Sequence, residues 1–229
     1  MYIFVTSFSE SGYHEYAKNM LESVVDSYIQ KKSDPFTALQ KVKDFHSNII
    51  NDLFDPKHYI FDEVNNLFVE IEWVLEEEPN QDSAYFYDQI VSIGEFLSTK
   101  IMSAYLEQVG FVNSLVDARD LIRTDNVFRN ANVQWDQTTV FIKERITQGC
   151  YITQGFIGCT SENFTTTLGR EGSDFTAAIL AYGIEAKEVV IWKDVAGMMN
   201  ADPKYFQHTK VLETISFDEA IELAYFGAK

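Results

Sequence analysis

The run Leu168-Gly169-Arg170-Glu171-Gly172-Ser173-Asp174 holds the residue types that most directly suggest chemistry in this chain. Two glycines ahead of Ser and Asp, at the start of an expected helix, let backbone N–H groups converge with no side chain in the way. The helix dipole favours an anion at such a point, so the loop can cradle phosphate. The same pattern also describes an ordinary turn followed by an N-cap, and taken by itself the loop fits that reading better. A second place is Gly94-Glu95, inside a helical period. Glycine there costs about 1 kcal/mol relative to alanine, so it asks for a close neighbour, either another backbone or a ligand. Glu95 reads equally as a functional carboxylate or a surface one. A third is Lys193-Asp194, at the C-terminal end of an expected buried parallel strand over 189–192, where open α/β sheets bind ligands.

These residues need elements to position them. The apolar residues 2–6 suit a short buried strand. Amphipathic helices follow over 13–31, over the stretch beginning at Asp34-Pro35 and ended by Asp55-Pro56, and over 60–77. His46 falls within the apolar stripe of the second and reads as a core histidine. Three helices in succession are not a βαβ repeat; with a further helix over 83–109 they suggest a helical lobe at about 13–109 beside a sheet. Residues 112–116 read as a strand and 135–148 as weakly helical. From Cys150 the pattern becomes strand, loop, helix, strand, which marks an α/β unit. Its connecting helix, 177–182, is expected to stop with Gly183 at C′. A last helix, 217–226, carries a capping box in Ser216 and Glu219.

Composition narrows the function classes. The chain has 229 residues and a formal net charge of -17, which argues against nucleic acid as a partner. The acidic residues concentrate over 62–88 and read as a solvated helix end that aids solubility. The two cysteines, Cys150 and Cys159, fit buried thiols in a reducing compartment better than a disulfide framework. No apolar run reaches membrane-span length, and the first residues lack the basic start of a signal peptide, so a cytoplasmic protein is expected. One domain over 1–229 is the favoured organisation.

The run from Thr165 to Asp174, with Ala177-Ala178, Trp192-Lys193-Asp194-Val195 and Asp202-Pro203, closely resembles the aspartokinase catalytic domain of the amino acid kinase family. Further matches are Ile90-Val91-Ser92-Ile93-Gly94-Glu95 with Leu97-Ser98, Asp117-Ala118-Arg119-Asp120, Gln154-Gly155-Phe156-Ile157-Gly158, and the segment from Glu219 to Lys229. Several motifs in the right order make the resemblance specific from about Leu21 onward. It implies a three-layer αβα sandwich with a mainly parallel central sheet. It also implies transfer of the ATP γ-phosphoryl group, with Mg, to the side-chain carboxylate of L-aspartate, the first step toward lysine, threonine and methionine.

By the same resemblance, Glu95 meets the substrate amino group, Arg170 its carboxylate, Ser173 the substrate, and Asp174 organises cationic groups around the phosphates. Lys193, Asp194, Met199, Lys204 and Lys229 fall at ATP-side positions. Lys193 replaces a Thr or Ser, and Met199 and Lys204 stand where Tyr and Arg are more usual; Lys204 keeps charge but loses the bidentate fork. Lys18 stands where a substrate-binding threonine belongs. The family's Lys-Phe-Gly-Gly turn and following regulatory domains have no counterpart in this sequence. A missing electrostatic stabiliser of that kind costs orders of magnitude in rate, so weak or no kinase activity is expected of the chain as given. A non-catalytic relative that binds a nucleotide or amino acid, or another amino acid kinase, is the alternative. Pairing of an open sheet edge with a second copy is also expected.

Overall fold

The computed structural model describes residues 1–6, 12–79, 83–169, 172–192, 197–202 and 205–225, with the side chains of 6, 12–16 and 224 left aside. The chain divides into two compact units, Met1–Val189 and Val190–Lys229.

The first unit is an α/β structure. Strand β1 (Tyr2–Thr6) is followed by helices α1 (Gly12–Gln30), α2 (Pro35–Leu53), α3 (Ile60–Glu76), α4 (Ser83–Val91) and α5 (Ile93–Gln108). Next come β2 (Ser114–Val116), α6 (Trp135–Arg145), β3 (Cys150–Gln154), β4 (Ile157–Cys159), β5 (Thr165–Thr167) and α7 (Gly172–Gly183). The sheet order is β1-β3-β2, all parallel, and β4 pairs with β5 antiparallel. In register, Ile3, Tyr151, Val5, Thr153 and Val116 lie on one face of the parallel sheet. Tyr151, with Ile3, Val5 and Val116, packs into a core with Ile142 of α6 and Ile179 and Leu180 of α7. On the opposite face Gln154 reaches α5 through Thr99. Helices thus cover both faces, which makes the three layers of the expected sandwich.

The larger core lies among α1 to α5, where Leu21, Val24, Leu39, Val42, Val64, Phe68, Ile71, Ile90 and Leu97 are buried together. The helix starts follow from sequence: Asp34 caps α2 by accepting from the N–H of Phe36 and Thr37 at 3.2 and 3.0 Å, with Pro35 in the first turn. His46 is buried in this core, its Nδ1 2.8 Å from the Val42 carbonyl and its ring edge-on to Phe68. Burial holds its pKa below the ordinary value, the Val42 bond opposing weakly.

Four expectations are corrected. The helix over 83–109 is two helices, broken at Ser92. The strand at 2–6 forms, but at the edge of the three-stranded sheet, with Tyr2 and Phe4 exposed where burial was expected. Residues 189–192 have no assigned strand, and all four are exposed, Trp192 to 90 %. Gly183 does not provide the left-handed C′ residue. That position is Glu185, at φ 55°, with Ala186 N–H bonding back to the Ala181 carbonyl at 2.8 Å. Gly183 is small because a Cβ there would lie 2.7 Å from Ile142 Cδ1 of α6.

In the second unit, α8 (Phe217–Tyr225) begins with the expected box: Glu219 N–H donates to Ser216 Oγ at 3.3 Å and Ser216 N–H to Glu219 Oε2 at 3.0 Å. Met199 and Val211 form an antiparallel bridge.

Candidate active site

Parallel strand β3 ends in Gln154-Gly155-Phe156, and the start of α7 lies directly against this turn. A Cβ on Gly155 would stand 2.6 Å from Ser173 Oγ and 3.0 Å from Ser173 Cα, and one on Gly172 would stand 2.7 Å from the Phe156 ring. Glycines are therefore required on both sides, and Phe156 itself takes a left-handed φ of 71°. Phe156 N–H donates to Thr176 Oγ1 at 3.0 Å, and Thr176 bonds back to the Gly172 carbonyl at 2.8 Å, which locks the turn to the first turn of α7. The C-terminal end of a parallel strand thus faces a helix N-terminus. The helix dipole favours an anion there. Ser173 and Asp174, both half-buried, belong to that first turn.

Glu95 comes to the same end of the sheet through α5. Gln154, buried at the end of β3, donates from Nε2 to Thr99 Oγ1 at 2.8 Å and accepts at Oε1 from the Ala118 N–H at 2.8 Å. Thr99 in turn donates to the Glu95 carbonyl at 2.8 Å. Gln154 therefore ties the strand to the helical turn that carries Glu95. This positioning residue gives no local signal in sequence, because a buried glutamine identifies itself only through partners 36 and 55 residues away.

Glu95 is 6 % exposed. Burial pushes its carboxyl up to about 8, while the charge of Lys18 on α1 pulls it back. The reason for Gly94 also becomes plain: a Cβ there would meet Leu21 Cδ1 at 2.9 Å, so its smallness lets α1 come close to α5. The sequence reading asked for another backbone or a ligand; the close neighbour is instead a side chain, Leu21 of α1.

Met199 sits in the second unit, with its sulfur accepting from Thr209 Oγ1 at 3.6 Å. Arg170, Lys193, Asp194, Lys204 and Lys229 lie outside the described residues. Among the described residues there is no group of three or more His, Cys, Asp or Glu side chains able to hold a metal by themselves, and no helix long and apolar enough to cross a membrane.

A buried carboxylate missed in sequence supports the approach to the loop. Asp88 of α4 accepts from the N–H of Arg129 and of Thr167, at 2.8 and 2.9 Å, and from Thr167 Oγ1 at 2.8 Å. Its pKa is raised by burial, with these donors opposing.

Comparison with known proteins fits this geometry. The chain is 34 % identical over 198 residues to lysine-sensitive aspartokinase 3 of Escherichia coli (strain K12), covering 85 % of this chain and 44 % of that one. It is 32 % identical over 193 residues to an aspartokinase of Chlamydia trachomatis, covering 83 % and 43 %. The structure superposes on E. coli aspartokinase III solved in complex with aspartate and ADP with a TM-score of 0.85 and 31 % identity, over 100 % of this chain and 50 % of that one. On the same protein with lysine and aspartate the TM-score is 0.82, over 98 % of this chain. The chain thus spans about half the length of the relatives it matches. Residues 20–229, from within α1 through α8, match the amino acid kinase family, and this chain belongs to it.

Proposed function

We propose that this chain, read as one functional domain over 1–229, carries the aspartate- and nucleotide-binding chemistry of an aspartokinase. The reaction is transfer of the γ-phosphoryl group of ATP to the side-chain carboxylate of L-aspartate, giving 4-phospho-L-aspartate. The observation that supports it most is the match, over the whole chain, to a protein solved with aspartate and ADP. The joined turn of β3 and start of α7 fits that reading, since phosphoryl transfer asks mainly for positioning and charge neutralisation.

In this reading the buried Glu95 receives the α-amino group, in a water-poor place where an ammonium ion gains most from a carboxylate. Arg170 takes the α-carboxylate with its bidentate fork, and Ser173 holds the substrate at the α7 N-terminus. A side-chain carboxylate oxygen then attacks the γ-phosphorus. One P–O bond forms, the bond to the β-phosphate bridging oxygen breaks, and ADP leaves with that electron pair. Asp174 orders the cationic groups about the phosphates, and Lys193, Asp194, Met199, Lys204 and Lys229 serve the nucleotide. Magnesium, held in such sites largely by substrate phosphates, would supply charge neutralisation of the transferring group. Free Cys150 and Cys159 accord with a cytoplasmic setting, and self-association is read along the open edge of β1, to be checked by sedimentation.

Titration calorimetry tests the reading. L-Aspartate and MgADP should each bind saturably, and Arg170→Ala should abolish aspartate binding while leaving MgADP. Absence of both binding events in the wild-type chain would sink it.

A further inference from the structure

The outer edge of β5 is closed by side chains rather than by another strand. β5 pairs with β4 through Thr166 and Gly158, so Thr165 and Thr167 turn their backbone groups outward. Gln89 of α4 accepts from Thr165 N–H at 3.2 Å and donates to the Thr165 carbonyl at 2.8 Å. Asp88 accepts from Thr167 N–H, and the Thr167 carbonyl accepts from Ala131 N–H at 3.0 Å. All four outward groups are satisfied, three of them by two adjacent side chains of one helix.

Asp88 does more than close an edge. Its Oδ2 also takes the N–H of Arg129, a non-glycine residue at φ 67°. Such a conformation persists only where its surroundings over-determine it, and the guanidinium of Arg129 is further held 4.0 Å over the Tyr87 ring. The segment pinned by Asp88 then braces the loop after β5. Gly169, at φ 80°, lies so close to Asn130 that a Cβ would stand 2.5 Å from its Oδ1. One fully buried carboxylate thus joins α4, β5 and residues 129–131, and the backbone leaving this junction carries Arg170 and the start of α7.

We propose that Asp88 is a positioning residue for the substrate loop: by fixing Thr167 and Arg129 together it sets where Leu168, Gly169 and the start of α7 stand, and so the affinity for the amino acid. The substrate part rests on the aspartokinase reading; the positioning part does not. An asparagine can satisfy the same donors, its Oδ1 taking both N–H groups and its Nδ2 donating to Thr167 Oγ1. Alanine leaves the buried Thr167 N–H and the partly buried Arg129 N–H without this acceptor.

The test combines hydrogen–deuterium exchange with calorimetry on the full chain. Asp88→Ala should speed exchange in peptides covering 165–174 by about tenfold and weaken L-aspartate binding by about tenfold. Exchange in α2 and α3, and affinity for MgADP, should stay at wild-type values. Asp88→Asn should restore both readouts to within about threefold. Thr167→Val, which removes only the hydroxyl donor, should loosen the same peptides by a smaller factor and provides the comparison if the alanine variant does not fold. Exchange over 165–174 unchanged in both Asp88→Ala and Thr167→Val overturns the proposal. So does a loss of protection spread evenly over all helices, with aspartate and MgADP affinities falling together. Localised loosening in a chain that binds no aspartate at all would instead uphold the positioning role and refute the aspartokinase reading.

Discussion

Substitution of Glu95 by Gln should remove a large, directional pH dependence of stability. The Glu95 carboxyl ionises near 4.5 in an ordinary setting and is pushed up to about 8 here, first by burial and with Lys18 acting against it. Between those values the folded chain holds a proton that the unfolded chain has released. Stability from this group is therefore fully present below pH 4.5 and is lost as pH rises through 8. At about 1.36 kcal/mol per unit the whole window amounts to roughly 5 kcal/mol, of which about 3 kcal/mol falls between pH 5.5 and 7.5. Urea unfolding of the wild type and Glu95→Gln at both pH values reads the difference, since all other titrating groups are shared. The wild type should lose about 3 kcal/mol more than the variant over this interval. Parallel stability profiles would refute the reasoning, because they would mean that Glu95 is already ionised at pH 5.5 in the folded chain. Lys18→Met supplies a second check. Removing the cation that pulls Glu95 down should extend the falling limb to higher pH. An incoming substrate ammonium should also drive proton release, visible near pH 7 as a dependence of the aspartate binding heat on the ionisation heat of the buffer.

Other perturbations follow from the packing. Gly94→Ala should destabilise by about 1 kcal/mol net, overpacking against Leu21 outweighing the gain in helix propensity; Leu21→Val in the same chain should recover most of it in urea unfolding. Gly155→Ala presses on the backbone of Ser173, so calorimetry should show weakened aspartate binding with the unfolding midpoint changed less than by Ile142→Ala. That second variant empties a fully buried site between α6 and Gly183 and should cost about 2–5 kcal/mol. His46, held below its ordinary pKa by burial, takes up a proton in the unfolded chain first. Stability should therefore fall as pH drops through 6.5, and His46→Leu should flatten that acid limb.

The local rules written into this chain were legible without coordinates. Asp34-Pro35 starts α2, Ser216 and Glu219 start α8, and the apolar stripes of α1 to α3 form the larger core as their spacing requires. Each of these depends on residues within a few positions of one another, so sequence carries the whole signal. The loop before Asp174 and the Gly94-Glu95 pair were also visible as unusual residue choices, although Gly94 proved to answer to Leu21 of another helix rather than to a ligand. What tertiary structure decided are properties that no local window contains. The burial that moves Glu95 depends on a helix some seventy residues earlier, and the need for a glycine at 183 comes from Ile142 of α6 rather than from a left-handed backbone, which falls at Glu185. The run 189–192 shows the converse: four apolar residues look like a buried strand by composition, yet strand formation needs a partner edge and a covering layer, and here the residues are exposed. Asp88 and Gln154 were silent for the same reason, since a buried polar side chain is defined by the distant backbone groups it satisfies.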